Sequence, residues 1–421
     1  LAAKYGGGIF LIIYIVLALT FGYTMIVAET AIGRMTRKSP VGAFKSFGKK
    51  KWLSFGGWIN AVIPVLIVPY YSVIGGWVIK YLVEYFRGNA KLLAEDGYFT
   101  DFISNGVSTE LCFVAFCAFT LIIIFAGVQN GIERVSKIMM PILIVLSVII
   151  AVYSVTRPGA LAGVKYFLVP NVKNFSWMTV VSAMGQMFYS LSIAMGILIT
   201  FGSYMKKDTA IEDSTRNVEI FDTGIAIMAG LMIIPAVFAF SGGDPDTLQA
   251  GPSLMFITIP KVFQNMGFGT VIGIVFFLLV LFAAVTSSIA LTESAVSTFE
   301  DELGWGRKKA TVLVGVIMLA LGSLSSLGYG PLAGIKIIGM QFLDLFDFLT
   351  NSVMMPIAAL LTSLFVSRVV GIDKIEAEII HGESTFRRKK VFVVMIKYLC
   401  PVFAIIILLS SVANALGWIK M

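Results

Sequence analysis

Ten stretches of this chain are each apolar for long enough to cross a bilayer, and no other feature limits its fold so tightly. Crossing the hydrocarbon takes about 20 mostly apolar residues. By that measure spans are expected at 8–33, 58–86, 110–127, 136–156, 178–204, 218–241, 269–300, 309–327, 336–367 and 391–418. Backbone in lipid must satisfy its own polar groups, so the expected fold is an all-α integral membrane bundle. Several spans exceed the minimum, which points to tilt, kinks or extensions beyond the membrane. Residues 252–266 are apolar but short, and Pro252 and Pro260 interrupt them. They are expected to form a helix in an external loop.

Composition agrees with this reading. Apolar residues make up 58% of the chain and charged residues 13%, whereas a soluble domain is about a quarter charged. The longest loops, 34–57, 87–109, 157–177, 242–268 and 368–390, lack the length and apolar content for a second core. Residues 1–421 are therefore read as one transmembrane domain.

Positive charge collects in every second loop. The basic loops hold Arg34, Arg37, Lys38, Lys45 and Lys49–Lys51; then Arg134 and Lys137; Lys206, Lys207 and Arg216; Arg307–Lys309; and Arg387–Lys390. Basic loops face the cytoplasm. Leu1 and the C-terminus are thus expected outside, in a multi-pass protein of the plasma membrane, which in a bacterium is the inner membrane. The net charge of +8 follows from this orientation and not from nucleic-acid binding. Cys112, Cys117 and Cys400 fall inside spans and read as small packing residues. His381, the only histidine, lies in a basic loop. One histidine makes no metal site, and no span offers the residue pairs of an enzyme. The chain opens with LAAKYGGG and its first span is entered from outside, so a further helix is expected before Leu1.

Polar groups inside spans are costly and are functional candidates by default. Residues 184–204 read MGQMFYSLSIAMGILITFGSY, with Ser190, Ser192 and Gly196 at the centre. A helix that opens its backbone around an ion or zwitterion suits that sequence, because irregular backbone at this depth must be buried or line a cavity. Ala283-Ala284-Val285-Thr286-Ser287-Ser288 places three hydroxyls in a row. Each could bond back to its own helix, or with a freed carbonyl they could serve Na⁺, a hard cation that takes oxygen ligands. Asp222 lies inside its span and needs a cation or a proton. Glu219, nearer the boundary, reads as a surface acid. Glu29 reads as a structural group serving a neighbouring helix end. Tyr70 and Tyr71 lie deeper than an interfacial aromatic belt and follow Pro64 and Pro69.

With these clusters in place, the sequence resembles the bacterial branch of the neurotransmitter:sodium symporter family, whose leucine-transporter fold is built from inverted repeats around broken helices. GGGIFLIIY followed by Glu29, Gly33 and Arg34 resembles the family's second helix. YYSVIGGW resembles the third, and Gly131 with Pro141 the Gly-X9-Pro pattern of the fifth. GQMFYSLSIAMG resembles the broken sixth, and FAAVTSSIAL followed by FEDEL the eighth. The resemblance implies a first repeat within 1–156, a second over 178–367 and a final helix at 391–418. About ten of an expected eleven transmembrane helices are then present, the family's first helix being the one without a counterpart.

The resemblance also implies roles. Ala283 by its carbonyl, with Thr286 and Ser287, would hold one sodium; Ser190 and Asp222 would contribute to another. The family more often has Asn at the latter position. Chloride-dependent members often carry Ser one turn on, where this chain has Ala226. Asp222 would then supply the negative charge that chloride supplies elsewhere, so chloride is not expected to be required. Tyr14 and Gln186 match positions near that locus. Tyr71 would donate to the substrate carboxylate. Ile67, Tyr189, Ser190, Ser192, Met195, Ser287 and Leu291 would line the substrate site. Asp347 and Tyr189 resemble parts of an external gate, and Asp301 and Tyr204 parts of a cytoplasmic one. Gly22 is followed by Tyr23 and Thr24 where the family prefers a proline. The implied function is sodium-coupled symport of an amino acid into the cell, hydrophobic or aromatic because Met195 is a flexible filler. A sensor that binds without transporting, or a channel, remains the alternative. Oligomeric state is left open.

Overall fold

The computed structural model describes residues 1–242 and 251–415. Nine helices in that range are long and apolar enough to cross a membrane. They are α1 (Gly8–Thr36), α2 (Lys51–Phe86), α3 (Gly106–Phe125), α4 (Val128–Val155), α7 (Ile211–Ser241), α8 (Gly269–Leu303), α9 (Arg307–Leu327), α10 (Phe342–Val370) and α11 (Lys389–Asn414). The tenth expected span is two shorter helices, α5 (Trp177–Ser190) and α6 (Ile197–Tyr204). The described residues carry no strand, only an isolated bridge between Ile337 and Met340. The multi-pass all-helical membrane fold is thus as expected.

The boundaries differ from those read in the sequence, for a physical reason. Apolar content marks where hydrocarbon begins, while hydrogen bonding marks where a helix begins. Helices α2, α4 and α7 therefore start about two turns before the expected spans, α4 and α7 within polar sequence. Conversely, α10 starts at Phe342 and not at 336. The intervening residues turn, with Ile338 at φ 54° and Gly339 at φ 76°. The short apolar helix expected at 252–266 is present over Leu254–Gln264. At Ala18–Gly22 the turns of α1 widen to a π-helical pattern. This irregularity sits beside the position where the family's proline is absent, and extra-residue turns of this kind recur at functional sites.

The packing places α2 and α8 at the centre, in extensive mutual contact, with α3 and α9 also against α2. Helix α1 runs along α6 and α7 along α4. The α1–α6 contact is backbone to backbone. A Cβ at Gly33 would lie 2.0 Å from the Ile199 carbonyl oxygen, and one at Gly202 2.5 Å from that of Thr30. Small residues that let helices touch in this way are the usual means of association in lipid, where apolar burial drives little.

Two charged residues sit differently from the sequence reading. Arg34, grouped there with a basic loop, is fully buried. Its Nε donates to Glu378 Oε1 at 2.7 Å, and its other nitrogens to the carbonyls of Thr209 and Glu378. The helix Ile372–Ile380 covers it. Glu219, read as a surface acid, is only 2% exposed and holds Arg388 in a two-pronged ion pair at 2.6 and 3.0 Å. Both are reached by the α10–α11 connector, a packing partner that hydropathy does not reveal. Cys117 and Cys400 are buried and Cys112 is half-buried, all as free thiols. His381 is exposed.

Candidate functional site

The site is built on the interruption between α5 and α6. Helix α5 begins with a reciprocal capping box between Ser176 and Thr179 and ends at Ser190. Ser192, Ala194 and Gly196 then take φ of 55°, 58° and 70°. Left-handed backbone at a serine and an alanine costs about 1–2 kcal/mol per residue, so the surroundings must hold it. Glu29 does part of this: its Oε1 accepts from the Ala194 N–H at 2.9 Å, and the residue is fully buried. Glu29 therefore serves a neighbouring helix end, the role expected of it.

Beside the break stands Asp222, in the fourth turn of α7. Tyr14 of α1 donates to its Oδ2 and Ser190 of α5 to its Oδ1, each at 2.5 Å. One carboxylate thus joins three helices. Tyr14 and Gln186 together line a neighbouring cavity of about 310 Å³ that Ala226 also borders.

The three hydroxyls of α8 point to three different partners. Thr286 turns back on its own helix, 3.0 Å from the carbonyls of Phe282 and Ala283. Ser288 is fully buried and meets Thr120 of α3 at 3.1 Å. Ser287 is exposed and faces the Tyr71 hydroxyl. The structure thus sets the Ala283 carbonyl, Thr286 Oγ1 and Ser287 on one local face, while Ser288 is committed elsewhere. Tyr71 is also the link to the break, since Tyr189 stands beside Tyr70, Tyr71 and Asp347.

A cavity of about 680 Å³ opens above Tyr189, lined also by Tyr70, Gln186, Asp344, Asp347 and Asn351. Asp347 Oδ1 accepts from Tyr70 at 3.2 Å and Asn351 at 2.5 Å. Of the expected pocket residues, Tyr189 lines this cavity. Ile67, Met195 and Leu291 do not line it; they are at most 5% exposed within one apolar cluster, and Ser192 is half-buried.

At the other end of the bundle Tyr204 and Asp301 are present but go to different partners. Asp301 accepts from the Ser39 N–H at 2.6 Å. Tyr204 donates to Glu293 Oε1 at 2.7 Å. Glu293 is fully buried and pairs with Arg307 at 2.5 and 3.0 Å. Sequence reasoning missed Glu293, although a charge inside the apolar 269–300 run is the same signal that singled out Asp222. It also missed Tyr70 as the partner of Asp347.

Chemically, the site offers a carboxylate, hydroxyls, carbonyls and an opened backbone. Such oxygens suit a hard monovalent cation. Among the described residues no group of three or more His, Cys, Asp or Glu could hold another kind of metal ion.

Comparison with known proteins agrees with this chemistry. The model of the sodium:neurotransmitter symporter family matches residues 1–98 and 99–418. An uncharacterized sodium-dependent transporter of Bacillus subtilis, YhdH, is 33% identical over 415 residues, 98% of this chain and 91% of its own. The human sodium- and chloride-dependent GABA transporter 2 is 25% identical over 436 residues, 88% of this chain and 68% of its own. The crystal structure of MhsT in complex with L-phenylalanine superposes with a TM-score of 0.86 at 33% identity, covering 97% of this chain and 93% of that one. The chain is therefore a membrane-embedded, sodium-dependent transporter and not an enzyme, and it belongs to the sodium:neurotransmitter symporter family.

Proposed function

We propose that the chain carries an amino acid with a hydrophobic or aromatic side chain into the cell, driven by sodium through alternating access. The observation that carries this reading is the Asp222 carboxylate, fixed by Tyr14 and Ser190 beside an opened membrane helix. An amino acid brings its own carboxylate into a low-dielectric site, which is costly unless paired. A sodium ion alongside offsets that cost, so each ligand raises the other's affinity, and the coupling is reciprocal. MhsT, a structural neighbour, was solved with L-phenylalanine, which supports an aromatic or apolar substrate here.

In this reading two sodium ions bind as co-substrates. One takes Ser190 and Asp222; the other takes the Ala283 carbonyl with Thr286 and Ser287. Tyr71 donates to the substrate carboxylate, and Ile67, Ser192, Met195 and Leu291 receive the side chain. Tyr189 and Asp347 close the site on one side, and Asp301 and Tyr204 on the other. The basic loops face the cytoplasm, which leaves Leu1 and the C-terminus outside. Repeats within 1–156 and 178–367 rock against each other. The Asp222 charge makes chloride dispensable; the human relative's name states chloride dependence, while that of YhdH states sodium alone.

Proteoliposomes test all of this. An inward sodium gradient should drive uptake of labelled phenylalanine, tyrosine or tryptophan, with gluconate replacing chloride at no loss. Uptake that ran equally well in potassium-only buffer would overturn the coupling. Preferential competition by small polar amino acids would overturn the substrate class. Binding without accumulation would make the chain a sensor.

A further inference from the structure

The basic run at the start of α11 divides in two. Arg387, Arg388 and Lys389 turn onto protein carboxylates, those of Asp213, Glu219 and Glu376. Lys390 is exposed, and so is Lys397, two turns further along the helix. Neither has an ion-pair or hydrogen-bond partner among the described residues.

Lys397 is the unusual one. Charges inside membrane-spanning helices almost always face the interior of the bundle, and this one does not. Met395, Ile396, Cys400 and Ala404 are the buried residues of that stretch. Lys390 and Lys397 stand instead on the outward face, which continues through Tyr398, Val402, Ile405 and Leu409 at spacings of three and four residues. That face is cationic at its end and apolar beyond. Side chains on a helix lean toward its N-terminus, here the basic end. The Lys397 stem therefore runs back toward Lys390, about 10 Å away along the axis, and a lysine stem lies readily along apolar surface with its ammonium at the interface. Tyr398, 65% exposed, adds an amphipathic ring at the same level.

We propose that this face binds an anionic phospholipid, phosphatidylglycerol in kind. Lys390 and Lys397 hold its phosphate from either side, and an acyl chain lies along Val402, Ile405 and Leu409. A soluble anion would gain nothing from the apolar half of the face. An acidic protein segment would have to enter the hydrocarbon to reach Lys397. A choline or ethanolamine headgroup brings its own cation, which two unpaired lysines repel.

The test is native mass spectrometry of the purified full chain with phosphatidylglycerol and phosphatidylcholine of identical acyl chains. Phosphatidylglycerol is expected to bind at least about tenfold tighter, and Lys390→Gln and Lys397→Gln should each weaken it about fivefold, the scale of one cation near a membrane surface. Phosphatidylcholine should be unchanged in both. Lys49→Gln combined with Lys50→Gln removes two exposed cations from a loop and should alter neither lipid. Equal affinity for the two lipids in the unaltered protein overturns the assignment without recourse to any variant. So does a preference that survives the joint loss of Lys390 and Lys397, or an equal loss when Lys49 and Lys50 are replaced.

Discussion

Asp222 is the single side chain on which the proposed coupling most depends. Its two oxygens already accept hydroxyls from Tyr14 and Ser190, so the sodium proposed there would join an ordered cluster and need little reorganisation. Asp222→Asn keeps the shape and removes the charge. Half-saturating sodium for uptake is expected to rise at least about tenfold, since hydrogen bonds and contacts to a charged group are worth roughly 1.5–3 kcal/mol. Tyr14→Phe keeps the charge and should raise it only a few-fold. Sodium dependence unchanged in Asp222→Asn would remove this carboxylate from the coupling. The prominence of Asp222 was legible in the sequence because a charge in an apolar run has so few neutral explanations. Glu293 carries the same signal inside its span. Arg34 and Glu219 were misplaced for a different reason. Their burial is created by the connector after α10, and nothing in their own neighbourhood announces that cover.

At the scale of the element, the break between α5 and α6 depends on contacts made by α1. Ala194 sits in the left-handed region with its N–H on Glu29. Glu29→Ala orphans that buried donor, at about 1–3 kcal/mol, and should lower the thermal midpoint together with substrate binding. A change in the midpoint alone would limit Glu29 to scaffolding. The α1–α6 contact allows even less. A Cβ at Gly33 meets the Ile199 carbonyl oxygen at 2.0 Å, and backbone cannot rotate away as a side chain can. Gly33→Val is expected to abolish the monodisperse peak in size-exclusion chromatography, while Gly185→Ala, with nothing within 4 Å of its Cβ, should leave it intact. Helix α4 poses the opposite case: its first turns, Val128–Glu133, are widened, and Pro141 removes a further hydrogen bond. Pro141→Ala would restore that hydrogen bond and stiffen the helix. If the proposed sodium at Ala283, Thr286 and Ser287 leaves past a loosened α4, the variant is expected to slow its release, and unchanged release would deny α4 that part. The break itself was readable from serines and glycines at mid-span. The widened turns at Ala18–Gly22 and Val128–Glu133 were not, because a π-helical turn is set by packing around it and has no composition of its own.

At the scale of the whole molecule, the connector between α10 and α11 binds α1 and α7 into one body. Arg388 pairs with Glu219 of α7 and stacks 3.9 Å over the ring of Tyr23 of α1. The N–H groups of Arg387 and Arg388 donate to Glu212, which the Tyr23 hydroxyl also reaches. Arg34 and Glu378 add a second tie from α1 to the helix Ile372–Ile380. If transport requires bundles to rock, these helices move together, because separating them would strand several charges away from both water and partners. Arg388→Ala therefore does more than delete a surface cation. It leaves the Glu219 carboxylate, 2% exposed, without its counter-ion, at a cost of about 3 kcal/mol, the low end for a buried pair because Arg388 itself is partly open. The thermal midpoint in detergent should fall by several degrees. Adding Glu219→Gln to the same chain removes the stranded charge and should restore most of the loss, since an amide at that position can be satisfied where an unpaired carboxylate cannot. If the double variant were no more stable than Arg388→Ala, the junction would owe its strength to the arginine's stacking on Tyr23 and its hold on the main chain, and the ion pair would be incidental to how the body holds together.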